Sequence, residues 1–191
     1  MNLPTLPFTA NMLLFAALIT LCLCFACYRE KHRKHDLIQL RQNEITKIEV
    51  ATGNCFGPCQ RIAISIDSTL AYKSYGGPVS FQTPPDRDRI LEGYYVGRIS
   101  RTLWDALNVN LEKIHYQQLR TSYKHVDDDQ SVEVIIHYQG KVKHIKAKFA
   151  CMPDSVHRVF YSIAESYRQV NLKLVKDTIL FETSIQRTLL F

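Results

Sequence analysis

From Ile45 onward the chain passes through runs of period two and two stretches of helical period, and together they predict the elements of one domain. Ile45, Ile48 and Val50 begin a strand that ends at Thr52-Gly53-Asn54, a run of strong turn chemistry. Arg61 to Asp67 alternates apolar and polar residues, with Ile62, Ile64 and Ile66 on one face, as a half-buried strand does. Asp67-Ser68 reads as a turn and Leu70 to Tyr75 as the return strand of a meander. Gly76 to Arg89, with Gly76-Gly77-Pro78 and Pro84-Pro85-Asp86, reads as an exposed loop carrying a short strand at Val79 to Gln82. Gly93 to Ile99 reads as a further short strand.

The period then changes. Ser100 is placed to cap a helix running to about Ile114, with Leu103, Trp104, Leu107 and Leu111 along one side. An aromatic stretch with Tyr116, Leu119 and Tyr123 leads to an acidic turn, Asp127-Asp128-Asp129. Ser131 to Phe149 is the clearest hairpin, with two alternating runs flanking Gln139-Gly140. A turn centred there puts Val132, Val134, Ile136, Tyr138, Ile145, Ala147 and Phe149 on the inner face. Glu133, His137, Val142, His144, Lys146 and Lys148 fall on the outer face, with Glu133 opposite Lys146; a slip of one residue would reverse the two sets. Pro153 and Asp154 open a second helix with Val156, Val159, Phe160, Ile163 and Tyr167 on its apolar side. The tail from Leu172 to Ile185 suits a final strand or a short helix.

Upstream, the pattern has no period. Phe8 to Tyr28 is one uncharged, mostly apolar run, long enough to cross the hydrocarbon core of a bilayer, and Arg29, Lys31, Arg33 and Lys34 follow at once. The leading reading is a single-pass anchor, helical because a helix satisfies its own backbone in lipid. A lipoprotein or cleaved signal ending at Cys27 is the second reading; Ala26 suits it, but Met1 to Asn11 lacks the usual basic start. A buried core helix is the third. The expected layout is therefore an anchor or signal at 8–28, a charged neck at 29–44, the domain at 45–170 and a tail at 171–191. The basic flank, read by itself, keeps the domain cytoplasmic.

The formal charge of +6 on 191 residues is modest and gathers beside the membrane segment and along the late hairpin. Anionic lipid headgroups are its simplest partner. Nucleic acid is not expected, since no Arg-rich stripe interleaved with aromatics is present. Cys55-Phe56-Gly57-Pro58-Cys59 is the most pointed local motif. Two cysteines four apart suit a small disulfide loop, half a metal site or a redox pair, but thioredoxin-like motifs have two intervening residues. Zinc would need two further ligands at suitable spacing, which the sequence lacks. The plain reading is a tight Gly-Pro turn with its cysteines buried or bridged. His137 and His144 would be diagonal neighbours on the outer hairpin face, within reach of a shared metal, although a solvated polar face accounts for them as well. Asp127 to Asp129 could draw a hard cation, but three successive residues cannot all point at one ion. No nucleophile elbow and no phosphate-cradling Gly-rich loop selects a reaction, and no cofactor is implied.

Through the CFGPC turn, the strand after it, and the later residues Leu119, Tyr123 and Asp127, the chain resembles a bacterial family classified as a domain of unknown function (family 6438). The resemblance runs from Ile45 to about Val170 and includes Cys55, Phe56, Gly57 and Cys59. Where that family's pattern places Pro after the second cysteine and an aromatic two positions on, this chain has Gln60 and Ile62. The resemblance implies a fold and an envelope or lipoprotein address, and it brings no activity. The expected architecture is α+β: an antiparallel sheet (meander plus hairpin) with two helices on one face, preceded by a transmembrane helix. The expected role is a non-catalytic binding or scaffold module of the cell envelope. The alternative is a redox-active or enzymatic protein using Cys55 and Cys59, and a third reading is a metal sensor using His137, His144 or the Asp127 turn.

Overall fold

A computed structural model of the chain describes residues 44–53, 55, 59–79, 91–123 and 129–184. The apolar segment 8–28 with Cys27, the neck up to residue 43, and Asp127 and Asp128 lie outside these residues. Among the described residues, no helix is long and apolar enough to cross a membrane.

From Ile45 the chain forms a compact unit built on one eight-stranded sheet. The strands are β1 (Ile45–Thr52), β2 (Gln60–Asp67), β3 (Ala71–Val79), β4 (Gly93–Arg98), β5 (Ser122–Tyr123), β6 (Ser131–Tyr138), β7 (Lys141–Lys148) and β8 (Lys173–Val175). They lie in the order β5-β7-β6-β1-β2-β3-β4-β8, antiparallel throughout except where β5 runs parallel to β7. Period-two patterning fixes the register, because directly paired residues share a face. Ile48 therefore faces Ile66 and Ile136, and Val50 faces Ile64 and Val134, so one face of the central strands is continuously aliphatic.

Two helices cover that face. In α1 (Arg101–Lys113), Ser100 caps the first turn by accepting from the Leu103 N–H at 3.1 Å, and Trp104, Leu107 and Leu111 are buried. In α2 (Asp154–Ala164), Val156, Phe160 and Ile163 are buried, and they share one core with the α1 residues and the aliphatic strand face. The Tyr72 hydroxyl meets the Ser166 hydroxyl at 2.9 Å and ties β3 to the 3₁₀ turn after α2. Burial pushes the Tyr116 hydroxyl up to about 12, and the ring packs edge-on against Tyr138 with centroids 5.3 Å apart.

The hairpin register expected from sequence is the observed one, with Glu133 opposite Lys146 and the tight turn at Gln139 and Gly140, both at positive φ. One expectation is corrected. Gly76 and Gly77 do not open an exposed loop; they are buried in β3, which runs on to Val79. Glycine suits that place because a Cβ on Gly77 would lie 3.1 Å from the Arg61 Cβ and from the Tyr75 ring. Gly77 thus marks close approach between strands rather than an end to pairing, and Gly76 pairs with Ile62. The tail holds the final strand that its sequence suits: β8 pairs with β4, and residues beyond it cross the second face of the sheet.

Gly97 is a tighter case. A Cβ there would meet the Val170 Cγ1 at 2.8 Å and the Asn171 carbonyl oxygen at 2.9 Å, and the backbone oxygen cannot swing aside. Gly97→Ala is expected to lower unfolding free energy by about 1–2 kcal/mol through overpacking. A urea titration of the two proteins checks it.

Candidate functional site: a strap over the open sheet face

On the face away from the helices, the same alternation places Lys47, Glu49 and Ala51 of β1 outward, together with Glu133 and His137 of β6 and His144 and Lys146 of β7. A sheet face of this composition would ordinarily be wet. Here it is crossed by residues 179–184, which form a strap after β8. Ala51 and Ala63 are small, directly paired residues, and Phe181 packs onto them, with Tyr75, Tyr94 and Ile179 around it. The Tyr75 and Tyr94 rings lie 5.0 Å apart beside this seat.

Past Phe181 the contacts become polar. Glu182 is held from two different strands: the Lys47 ammonium donates to its Oε1 at 2.6 Å, and the His137 Nε2 lies 2.9 Å from its Oε2. Lys47 also stands 3.0 Å from the Oε2 of Glu49, a carboxylate with no exposed surface. The Thr183 N–H donates to the Oε1 of Glu49 at 2.8 Å. Glu133, only 1% exposed, accepts from the Ser184 N–H at 2.7 Å and the Ser184 hydroxyl at 2.8 Å. His144 reaches its other oxygen at 2.6 Å, and Lys146 lies 3.4 Å from that oxygen while donating to the Ser184 hydroxyl at 3.0 Å.

The electrostatics follow from these contacts. Desolvation works to raise the Glu133 carboxyl, but Ser184, His144 and Lys146 together outweigh it and hold the group below its ordinary value. The Lys47 ammonium beside Glu182 holds that carboxyl below its ordinary value too. Burial acts to lower Lys47, yet its bonds to Glu182 and Glu49 leave it raised overall.

His137 and His144, diagonal neighbours as expected, do not converge on one point. Each reaches a different glutamate, and among the described residues no group of three or more His, Cys, Asp or Glu is arranged to hold a metal. Nor is the outer hairpin face simply solvated, since Glu133 is buried beneath the strap. Asp129 caps the end of the hairpin: its carboxylate accepts from the Ala150 N–H at 2.5 Å and its carbonyl from Lys148 at 2.8 Å.

Cys55 and Cys59, which lie in sequence between β1 and β2, are bonded to each other, with Cα atoms 5.7 Å apart. The strand ends on either side are pinned by side chains. The Thr52 hydroxyl donates to the Gln60 carbonyl at 3.1 Å and accepts from the Ile62 N–H at 3.1 Å. Gln130 donates to the carbonyls of Gly53 at 3.0 Å and Gln60 at 3.1 Å. Among the described residues, strands flank the two cysteines and no helix begins beside them to stabilise a thiolate. Replacing both by Ser removes a loop closure of about five residues, and the expected loss is about 2 kcal/mol. Unfolding under non-reducing conditions checks that figure, and the difference should vanish once reductant is added to both proteins.

Sequence reasoning placed the outer-face residues of β6 and β7 but missed Lys47, Glu49, Glu182 and Ser184. The signal available was the outward pair Ala51 and Ala63, since small apolar residues on a face otherwise lined by charge indicate a cover.

A family model described as Domain of unknown function (DUF6438) matches residues 46–167. No curated protein matches the chain, and no solved structure does.

Proposed function

The chain belongs to the DUF6438 family, and we propose that it is a membrane-tethered binding or scaffold module of the cell envelope, held by segment 8–28 with its domain on the oxidising side. The observation that carries this reading is the bonded Cys55–Cys59 pair. Disulfides persist in exported compartments and are rare where thiols are kept reduced. The basic residues Arg29, Lys31, Arg33 and Lys34 argue for the opposite side, but that rule is statistical and concerns short flanks, whereas the bridge concerns the domain itself. A binding role fits the strap, where recognition-type contacts gather on one face and each histidine is engaged with a carboxylate. Lipidation at Cys27 is a second means of tethering compatible with the same address.

Topology fusions test the address. With alkaline phosphatase in one protein and a fluorescent protein in another, each joined after Phe191, the expected result is phosphatase activity without fluorescence. Fluorescence without phosphatase activity would put the domain in the cytosol and remove the envelope reading.

A further inference from the structure

The open sheet face contains something that sheet packing alone does not require. Glu49 and Glu133 are fully buried on it, and burying a carboxylate is costly unless donors meet it. The sheet itself supplies Lys47 to Glu49 and His144 and Lys146 to Glu133, and the strap supplies the rest: the Thr183 N–H to Glu49, and the N–H and hydroxyl of Ser184 to Glu133. A backbone N–H is what any extended polypeptide offers, so two carboxylates set this way read main chain. The neighbouring groups read side chains. Lys47 and His137 together grip an acid, and Ala51 and Ala63 leave room for an aromatic ring.

We propose that this face is a peptide-recognition groove, and that its ligand is an extended segment of another polypeptide reading aromatic, acid, a small residue that can be buried as Thr183 is, then Ser. The chain's own Phe181–Ser184 has that chemistry and occupies the groove in cis. Two observations make the strap displaceable. Among the described residues, no backbone-to-backbone hydrogen bond holds residues 176–183. Its attachment is made by side chains and by main-chain donors to carboxylates, so it leaves without unpairing a strand. Residues 176–178, which lead into it, are exposed, and within it Leu180 is 86% exposed. A tethered occupant competes at an effective concentration on the order of millimolar, so an external segment is admitted where the strap is weakened or where the partner adds contacts beyond it. The ligand assignment rests on the binding-module reading, but peptide titration does not depend on the side of the membrane, so the two fail independently.

The test uses the full chain in detergent micelles, as wild type and as F181A/E182A. Each is titrated with a fluorescent, C-terminally amidated peptide of residues 177–184. Binding to the variant is expected to be at least about ten-fold tighter than to wild type, and a peptide with Lys in place of Glu182 is expected to lose at least about ten-fold. Equal binding to both proteins, or indifference to the Lys change, overturns the proposal. Should the variant fail to fold, the wild type serves with millimolar peptide: faster amide exchange at Thr183 and Ser184 is expected, and unchanged exchange overturns the proposal. Strap exchange between two copies, seen as a concentration-dependent dimer that binds no free peptide, also overturns it, in favour of self-association.

Discussion

Phe160→Ala is expected to lower the unfolding free energy by about 3–5 kcal/mol, the range for truncating a buried aromatic. Phe160 has no exposed surface and lies on the apolar side of α2, between Val156 and Ile163, in the core shared with α1 and the central strands. Close-packed surroundings relax only partly into the space left, so the loss contains a cavity contribution as well as the lost transfer of the ring. The domain's stability is expected to be about 5–15 kcal/mol, which makes this a large fraction of the whole. Thermal unfolding should show a shift on the order of ten degrees. Phe160→Leu keeps most of the volume and should lose less than half as much. A shift of only one or two degrees for the alanine variant would mean that α2 does not seal the core.

The helix-side core was legible in the sequence because each of its elements carries a strong period. Ile62, Ile64 and Ile66 alternate, Val132, Val134 and Ile136 alternate, and Leu107 and Leu111 recur at helical spacing beside Trp104. One-sided burial produces that pattern, and Gln139-Gly140 supplied the register of the hairpin by naming its turn. The second face was less legible, for a physical reason. Its cover is a segment without regular structure from the far end of the chain, and no period marks such a segment. Phe181 and Glu182 lie more than a hundred residues from the β1 positions they meet, Ala51 and Lys47. Glu49 and Glu133 look like ordinary outward residues in alternating strands until something covers them. Gly76-Gly77-Pro78 misled for the opposite reason: local turn chemistry was strong, but the need for close approach between β2 and β3 decided the structure. Of the residues singled out for chemistry, Cys55 and Cys59 lie between two strands, as expected, and the sequence alone left their bonding open.

Glu133→Ala is expected to detach the strap from β6 and lower stability by about 2 kcal/mol, because the strap loses its hydrogen bonds to a buried carboxylate. The Ser184 N–H loses its acceptor, His144 and Lys146 lose their shared carboxylate, and a gap opens beneath the strap. Glu133→Gln keeps the shape and one acceptor oxygen and should lose less. Faster amide exchange at Thr183 and Ser184, with the exchange of β2 unchanged, separates strap release from a general loss of structure. The same network sets the response to acid. Glu133 and Glu182 are both held below their ordinary value of 4.5, so the folded state binds fewer protons than the unfolded chain in that range. Their contribution is therefore complete above about pH 4.5 and is lost as the pH falls through the lowered folded values. Lys47, raised above 10.5, acts in the opposite sense, and its contribution is lost only as the pH rises past its folded value. Stability is thus expected to be level with respect to these three groups between about pH 5 and 10, and to fall on the acid side. The acid limb should flatten in Glu133→Gln, since one of the two carboxyls that generate it is gone. An acid limb of unchanged steepness in that variant would show that Glu133 does not hold the strap through its charge.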